Sequence, residues 1–192
     1  MKKEKKIKKI YEMLNDPLIQ EVLFNIFEGD ERGFDIIYIL LEKNETTEEE
    51  IAKELGVKLN VVRKLLYKLY DARLVDYKRW KDEDTNWYSY TWLPTLEKLP
   101  YVVRKKITEL INDLEKKLEF EKNNIFFYCP KCNIRFTFDE AMDYNFECPS
   151  CGNMLQQFDN SKIIKDLEEQ IKFLKDELKN NPYLKTSSYN KK

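Results

Sequence analysis

Apolar residues along this chain recur mainly with the spacing of helices. Between residues 17 and 69 the repeat is three or four positions, which places the apolar side chains on one face of each helix. The clearest stripe consists of Val62, Leu65, Leu66 and Leu69. The helix before it begins with a capping box from Thr47 to Glu50 and ends at Gly56. Two short helices joined by a glycine-containing turn predict a helix-turn-helix.

Two stretches after the helix-turn-helix have the composition of strands. They are Leu74–Lys78 and Trp87–Trp92, and the polar segment 81–86 between them predicts the turn of a hairpin. A helix-turn-helix followed by a hairpin is a winged helix, which we assign to residues 10–94. The predicted fold class is therefore mainly α with small β elements.

The predicted hairpin is rich in aromatic residues, namely Tyr77, Trp80, Trp87, Tyr88, Tyr90 and Trp92. Strand alternation sends Tyr88, Tyr90 and Trp92 to one face and Trp87 to the other. One interpretation is that most of these rings belong to the core. The other is that a two-stranded wing leaves some exposed, where they anchor a protein or stack on unpaired bases. Trp80 and Trp87, near the tip, are the best candidates for such contacts.

The second helix of the motif presents Arg63, Lys64 and Lys68 outward. A winged helix often places this helix in the major groove of DNA, so these three residues are candidate nucleic-acid contacts. Residues 10–94 nevertheless carry 11 basic and 18 acidic residues, and the predicted wing turn contains three consecutive acidic ones. Duplex phosphates would be repelled by that charge. An ordinary solvated face is the other interpretation of the three cations.

Two apolar seams flank the cysteines of this chain. The first, Val103, Ile107, Leu110, Leu114 and Leu118, lies in a helix predicted over 100–122 within a helical linker at 95–126. The second, Ile164, Leu167, Ile171, Leu174 and Leu178, is a heptad pattern in a C-terminal helix at 159–180. We predict that the seams pair as an antiparallel coiled coil, because the intervening segment returns the chain to where it left. Packing on a partner or a second copy is the alternative.

The four cysteines form two Cys-x-x-Cys pairs, Cys129 with Cys132 and Cys148 with Cys151, with fifteen residues between the pairs. This spacing is typical of a zinc ribbon, which we assign to residues 127–158. Four thiolates complete a tetrahedral shell and leave no open position, and the chain has no histidine. We therefore predict one structural Zn²⁺ ion and no enzymatic activity. The ligands alone leave iron as an alternative metal.

Composition and charge narrow the class of protein. The 192 residues include 34 Lys and Arg against 35 Asp and Glu, a balance that does not indicate a nonspecific nucleic-acid coat. No apolar run reaches the roughly 20 residues that cross a membrane, so we expect a cytoplasmic protein without a membrane partner. Residues 1–9, with six lysines, are expected to form a solvated basic tail or to contact an acidic partner. We expect residues 181–192 to be a disordered tail.

These features in this order resemble archaeal transcription factor E, the counterpart of the alpha subunit of the eukaryotic general factor IIE. The resemblance covers essentially the whole chain: the winged helix, the helical linker and the CPxC…CPxCG ribbon. It implies that the zinc ligands are Cys129, Cys132, Cys148 and Cys151. It also places Trp80, Trp87 and Tyr88 in the wing region that the family holds near the polymerase clamp and the DNA strand.

The resemblance further implies a general initiation factor without catalysis. Such a factor binds RNA polymerase at the clamp and stalk, together with TATA-binding protein and transcription factor B. It lies near the non-template strand of promoter DNA, assists promoter opening and stabilises the open complex, and a beta-type second subunit is a further candidate partner. Two alternatives stay open. One is a sequence-specific DNA-binding regulator that uses the Asn60–Lys68 face, and the other is a redox or metal-transfer enzyme that uses the cysteines.

Overall fold

The structure, a computed structural model, describes residues 2–81 and 88–185, with side chains described from residue 5 onward. The described residues form two compact units. Unit 1 contains residues 2–107 and 182–185, and unit 2 contains Thr108–Asn181. Within the described ranges, no helix is both long and apolar enough to cross a membrane.

Unit 1 is mainly helical. Its helices are α1 (Lys2–Leu14), α2 (Pro17–Ile26), α3 (Arg32–Lys43), α4 (Glu48–Leu55) and α5 (Leu59–Asp71), and its strands are β1 (Thr46–Thr47), β2 (Val75–Lys81) and β3 (Tyr88–Pro94). A short 3-10 helix, Leu96–Lys98, leads into α6 (Leu99–Asn123), which begins in unit 1 and continues into unit 2. The predicted fold class, mainly α with small sheets, is confirmed.

Local hydrogen bonds set the ends of α4. The hydroxyl of Thr47 accepts from the backbone amide of Glu50 at 3.3 Å, and the carboxylate of Glu50 accepts from the amide of Thr47 at 3.4 Å. This is the predicted capping box, which satisfies amides that the first turn leaves without intrahelical partners. Gly56 ends the helix with a φ of 65°, a left-handed conformation that glycine adopts without strain.

The core of unit 1 collects apolar side chains from its helices and from β3. Its largest fully buried members include Phe27, Leu23, Ile36, Ile37, Leu40, Ile51, Leu65, Leu66, Leu69 and Trp92. All four residues of the apolar stripe predicted for α5 are buried. The helical period of that stripe therefore determines which face of α5 packs inward and which face remains available.

The N-terminal segment differs from its prediction as a solvated tail, because Lys2–Leu14 form α1. Ile10, Met13 and Leu14 are at most 5% exposed and occupy one stripe of the helix. The lysines described in this segment remain exposed, and Lys6 lies 3.9 Å from Glu97. The prediction weighed the charged residues alone and missed the apolar residues that follow them and hold the helix on the core.

The three strands of unit 1 form an antiparallel sheet in the order β1-β3-β2. Tyr77 lies opposite Trp92 in the β2–β3 hairpin, and residues directly opposite share a face. One face therefore carries Tyr77, Tyr88, Tyr90 and Trp92, and the other carries Trp80 and Thr91. The predicted grouping of Tyr88, Tyr90 and Trp92 is confirmed, whereas Trp87 and the predicted acidic turn lie outside the described residues.

Unit 2 combines a small sheet with two long helices. After the second part of α6 come β4 (Phe126–Tyr128), β5 (Arg135–Thr137), α7 (Phe138–Asp143), β6 (Gln156–Phe158) and α8 (Ser161–Asn180). The strands are antiparallel in the order β5-β4-β6. Strand β4, which follows α6 in the chain, is therefore the central strand and pairs with both β5 and β6.

The buried seam of α6 differs from the prediction by one residue. Ile111 and Leu114 are at most 8% exposed, whereas Leu110, predicted in the seam, is 48% exposed. From Val103 to Leu118 the observed seam has steps of four, four, three and four residues, and the predicted seam has steps of four, three, four and four. Both fit the 3.6-residue turn of a helix, so the helical period alone does not choose between Leu110 and Ile111. The same face continues through Leu118 to Glu121, which is also buried.

Helices α6 and α8 contact each other within unit 2. The ammonium of Lys175 lies 2.6 Å from the carboxylate of Glu115, and that of Lys122 lies 2.5 Å from Glu168. The later residue on α6 pairs with the earlier residue on α8, so the two helices run antiparallel. Ile171 and Leu174 of α8 are buried, as the heptad pattern predicted.

The segment after α8 was predicted to be disordered, but its described part is anchored in unit 1. Leu184 is 2% exposed, and the guanidinium of Arg104 donates to its backbone carbonyl at 3.0 Å. A single apolar residue among polar neighbours has no periodic pattern, so the sequence held no signal for this contact. Residues 186–192 lie outside the described residues.

We expect Gly33→Ala to destabilise unit 1. A Cβ at Gly33 would lie 2.4 Å from the ring of Phe27, and both residues are buried. Overpacking of this kind lowers the free energy of unfolding by about 1–3 kcal/mol. Denaturant titration of the full chain, followed by tryptophan fluorescence, measures it, with the exposed Lys53→Ala on α4 as control. Equal stability of Gly33→Ala and the parent chain would contradict the described packing.

Candidate metal centre and aromatic interface

Each cysteine pair of unit 2 lies in a tight turn. In the first turn, the amide of Asn133 donates to the carbonyl of Cys129 at 2.8 Å, and the amide of Cys132 lies 3.4 Å from the Cys129 sulfur. In the second, the amide of Gly152 donates to the carbonyl of Cys148 at 2.8 Å. Asn133 and Gly152 have φ values of 54° and 72°. A left-handed residue directly after each pair reverses the chain and brings its two sulfurs together.

The four cysteine sulfurs lie within 4.8 Å of one another. A tetrahedron with Zn–S bonds of about 2.3 Å has sulfurs about 3.8 Å apart, so the cluster fits one such ion. Cys129 and Cys148 are buried, and Cys132 and Cys151 are partly exposed. Four thiolates complete the coordination shell, so a metal at this position supports the fold and leaves no open position for a reaction.

The thiols of the cluster differ in acidity. Burial alone would raise the pKa of Cys129, but backbone amides of Cys132 and Lys131 and the neighbouring cysteines donate to its sulfur and lower that pKa to about 7. Hydrogen bonding with Cys151, followed by burial, raises the pKa of Cys132 to about 12. One thiol is therefore close to ionisation near neutral pH, and the charge of a bound divalent cation favours the thiolate form of the others.

The hydrophobic core around the cysteines is small. Its buried members are Cys129, Phe136, Ala141, Cys148 and Leu155, with Phe127 and Phe146 packed against them. Two of the five buried residues are candidate metal ligands. A module of this size rarely buries enough apolar surface to fold alone, so metal binding is expected to supply a large part of its stability.

A partly buried ion pair connects the ribbon strands to both long helices of unit 2. The carboxylate of Glu121 on α6 accepts two hydrogen bonds from the guanidinium of Arg135 on β5, at 2.6 and 3.2 Å. The amide of Asn160, just before α8, donates to the same carboxylate at 2.8 Å. Arg135 also lies over the ring of Phe126, 4.2 Å from its centroid. The sequence offers one signal for this cluster, a glutamate in register with an apolar seam, and the three side chains are far apart along the chain.

The aromatic residues of unit 1 form a connected band across α5 and the hairpin. Its contacts are Tyr67 with Trp92, Tyr70 with Trp92 and with Tyr77, and Tyr77 with Trp92 and with Tyr90, at centroid distances of 5.3 to 6.3 Å. Trp92 is 1% exposed, whereas the four tyrosines are 40% to 54% exposed. The core interpretation is therefore correct for Trp92, and the interpretation that some rings are exposed is correct for the four tyrosines.

The two described candidates near the hairpin tip are exposed on opposite faces. Trp80 is 47% exposed, and its indole N–H donates to the hydroxyl of Thr91 at 3.2 Å. Tyr88 is 51% exposed, and the guanidinium of Arg79 lies 3.5 Å from its ring centroid. Both rings are thus held in place while much of their surface stays available. Trp87 lies outside the described residues.

The three candidate cations of α5 are all paired within unit 1. Arg63 contacts Glu48 at 2.5 Å, and the side chain of that glutamate is only 8% exposed. Lys68 contacts Glu28 at 2.6 Å and also donates to the backbone carbonyl of Phe27. Lys64 lies 3.4 Å from the same Glu28, whose pKa is lowered by hydrogen bonding from Lys68 and then from Lys64. Two carboxylates therefore face the three cations: Arg63 and Lys68 are closely paired, whereas the exposed pair of Lys64 with the shared Glu28 is weak.

Comparison with known proteins identifies the family. The family model described as TFIIE alpha subunit matches residues 17–123, and the one described as TFIIB zinc-binding matches residues 127–169. A Methanocaldococcus jannaschii protein named Transcription factor E is 87% identical over 173 residues, which cover 90% of this chain and 100% of the relative. This chain belongs to the transcription factor E family. Relatives of the same name occur in Methanococcus maripaludis, 54% identical over 91% of this chain and 99% of the relative, and in Haloarcula marismortui, 38% identical over 87% and 93%.

Membership of the transcription factor E family decides the class of function. The family consists of transcription factors and not of enzymes, so the redox or metal-transfer alternative is wrong. A general transcription factor role is supported, as the resemblance implied. The match of the ribbon to a zinc-binding family, together with the four clustered cysteines, supports the predicted single structural Zn²⁺ ion.

The purified chain is expected to contain one zinc ion per molecule, and Cys148→Ser is expected to lose it. Three thiolates and a buried hydroxyl bind zinc more weakly than four thiolates, and the ribbon core should lose order with the metal. Elemental analysis and NMR dispersion of the ribbon residues measure both effects. Lys131→Ala, an exposed change in the turn of the other cysteine pair, should retain the metal. Iron in place of zinc, or full zinc retention by Cys148→Ser, would contradict the assignment.

We expect Glu121→Ala to destabilise unit 2 far more than Glu119→Ala. The first substitution removes the carboxylate that accepts from Arg135 and Asn160, although Asn160 keeps the backbone carbonyl of residue 121 as an acceptor. Glu119 lies on the exposed face of the same helix. The Arg135 side chain is about a third exposed and can be hydrated, so the loss of its charged hydrogen bonds is expected to cost about 1–3 kcal/mol. Thermal unfolding of the zinc-loaded chain, followed by circular dichroism, compares the two variants. Similar midpoints would show that the ion pair contributes little.

Proposed function

We propose that this chain binds RNA polymerase at the clamp and stalk, assists promoter opening and stabilises the open complex. The proposed partners in that complex are TATA-binding protein, transcription factor B and the non-template strand of promoter DNA, with a beta-type subunit as a further candidate. Family membership supports the general role. The observation that carries the finer proposal is that two of the three candidate cations of α5 are closely paired with carboxylates while aromatic rings on the neighbouring hairpin are exposed.

We further propose that residues 10–94 form a winged helix. Helices α4 and α5, joined at Gly56 and followed by the β2–β3 hairpin, have the order of that fold, and β1 adds the third strand. The hairpin is then the wing. Trp80, Tyr88 and Trp87 are the residues through which we propose that it contacts the polymerase or an unpaired strand. For the first two, half-exposed rings held by Thr91 and Arg79 support this role.

In unit 2 we propose an antiparallel coiled coil of α6 and α8 that carries the zinc ribbon, assigned to residues 127–158. The opposed order of the two interhelical ion pairs and the burial of Ile111, Leu114, Ile171 and Leu174 support this arrangement. The ribbon and the wing then supply two separate contacts with one large partner. When two modules are linked, the second contact gains from a high effective concentration, so each can be weak.

The alternative proposal, a sequence-specific regulator that reads duplex DNA through α5, requires Arg63, Lys64 and Lys68 to contact the duplex. Arg63 and Lys68 would first have to leave a carboxylate of this chain, and for Arg63 that carboxylate is almost fully buried. Exposed acidic residues beside the helix would add repulsion of phosphates. These contacts favour the initiation factor.

Retention of the chain by purified RNA polymerase, with reactivity of unpaired promoter thymines as a second measurement, tests this proposal. We expect Trp80→Ala and Tyr88→Ala each to weaken retention about tenfold or more, the loss typical of an aromatic anchor, and to reduce thymine reactivity. Tyr101→Ala, which removes a ring that is 68% exposed on α6, serves as the matched control.

Two outcomes would overturn the proposal. One is the absence of both polymerase binding and enhanced opening. The other is sequence-specific binding to duplex DNA with a steep salt dependence, lost in Lys64→Ala and unchanged in Trp80→Ala, which would favour the regulator.

A further inference from the structure

The helix pair of unit 2 is closed at one end and open at the other. At the closed end, Ile111, Leu114, Ile171 and Leu174 are each at most 8% exposed. Nearer the ribbon, Phe120 on α6 is 49% exposed, and Ile163 and Leu167 on α8 are only partly buried. Apolar residues at this end therefore face a space that this unit does not fill.

That space is a groove with a volume of about 450 Å³. It is lined by Phe120, Ile163 and Leu167, by Lys116 and Lys117, and by the Glu121–Arg135 pair. The lining combines an apolar surface with lysines from α6.

The charges around the groove are unequal in their availability. Glu121 is fully engaged by Arg135 and Asn160, so it neither attracts a cation nor repels an anion strongly. Lys116 lies 3.6 Å from Asp113, and both side chains are more than two-thirds exposed, so this pair is weak. No ion pair of Lys117 occurs among the described residues. The groove therefore presents a net positive rim beside an apolar surface.

We propose that this groove binds an amphipathic helix of a partner protein, with large apolar side chains on one face and carboxylates beside them. Helices bind such grooves through apolar anchors at i, i+3, i+4 and i+7, and the lysine rim favours acidic flanks. A small-molecule site would place unsatisfied polar groups to orient its ligand. Here the buried polar groups already satisfy one another. The site is separate from the wing residues and does not depend on their proposed role.

The test uses the full zinc-loaded chain and a fluorescein-labelled peptide of roughly 16 residues, long enough to form a helix. The peptide carries leucines at i, i+3, i+4 and i+7 and glutamates on its other face. A second peptide replaces every glutamate with lysine. Fluorescence anisotropy gives the affinities, and NMR shifts of the Ile163 and Leu167 methyl groups locate the contact.

We expect the glutamate peptide to bind with shifts at Ile163 and Leu167 and the lysine peptide to bind at least fivefold more weakly. The combined substitution Lys116→Glu and Lys117→Glu should weaken binding of the glutamate peptide about fivefold or more and reduce the salt dependence of that binding. Combined Lys172→Glu and Lys179→Glu makes the same charge change outside the groove lining and should have little effect. Ile163→Trp, which fills the groove without removing buried packing, should weaken the binding of both peptides.

Each remaining outcome would overturn the proposal. Equal binding of the two peptides would mean a nonspecific apolar contact. Shifts confined to residues outside the groove would place the site elsewhere. Absence of binding at millimolar peptide, with zinc content and circular dichroism unchanged, would show that the groove does not accept an acidic helix.

Discussion

The fold of unit 2 depends on bringing four cysteine sulfurs within 4.8 Å of one another. Its strands have only three residues each, and two of the five buried core residues are themselves cysteines of the cluster. Apolar burial on this scale is too small to order the segment, so the metal bond energy is coupled to folding. Because β4 follows α6 and β6 precedes α8, closing the cluster also returns the chain to α6. Closing the cluster therefore favours the antiparallel contact of the two helices, which their buried apolar residues and interhelical ion pairs also hold.

The Glu121–Arg135 pair extends that constraint from the metal centre to the helices. A buried carboxylate is costly unless it is paired and hydrogen-bonded, and here a bidentate guanidinium and an amide satisfy it. An apolar residue at position 121 could pack in the seam, but it would accept many positions of β5. Directional hydrogen bonds are compatible with only a few positions of that strand. The ion pair therefore favours one arrangement of ribbon strands on helix, whatever it adds to stability.

The elements that could be predicted from sequence were those whose signals are local. The capping box at Thr47, the turn at Gly56 and the α5 stripe all depend on neighbours within a few residues, and the Cys-x-x-Cys spacing depends on the chemistry of one ion. The errors concern residues whose environment is made by distant parts of the chain. Leu110 and Ile111 are equally apolar, and only the partner helix decides which is buried. Leu184 is buried by contacts that no periodic pattern in the sequence predicts.

The α5 cations show why a charged face read from sequence is weak evidence of function. Helical spacing correctly placed Arg63, Lys64 and Lys68 away from the core, but it could not show that Glu48 and Glu28 reach them from other helices. Their carboxylates occupy the donors that DNA phosphates would need. Aromatic rings have no such internal competitor at an exposed position, since a ring held from one side still offers its other face. The availability of a side chain, and not its type, is therefore the ground on which we propose the hairpin, and not the cations of α5, as the surface to which a partner binds.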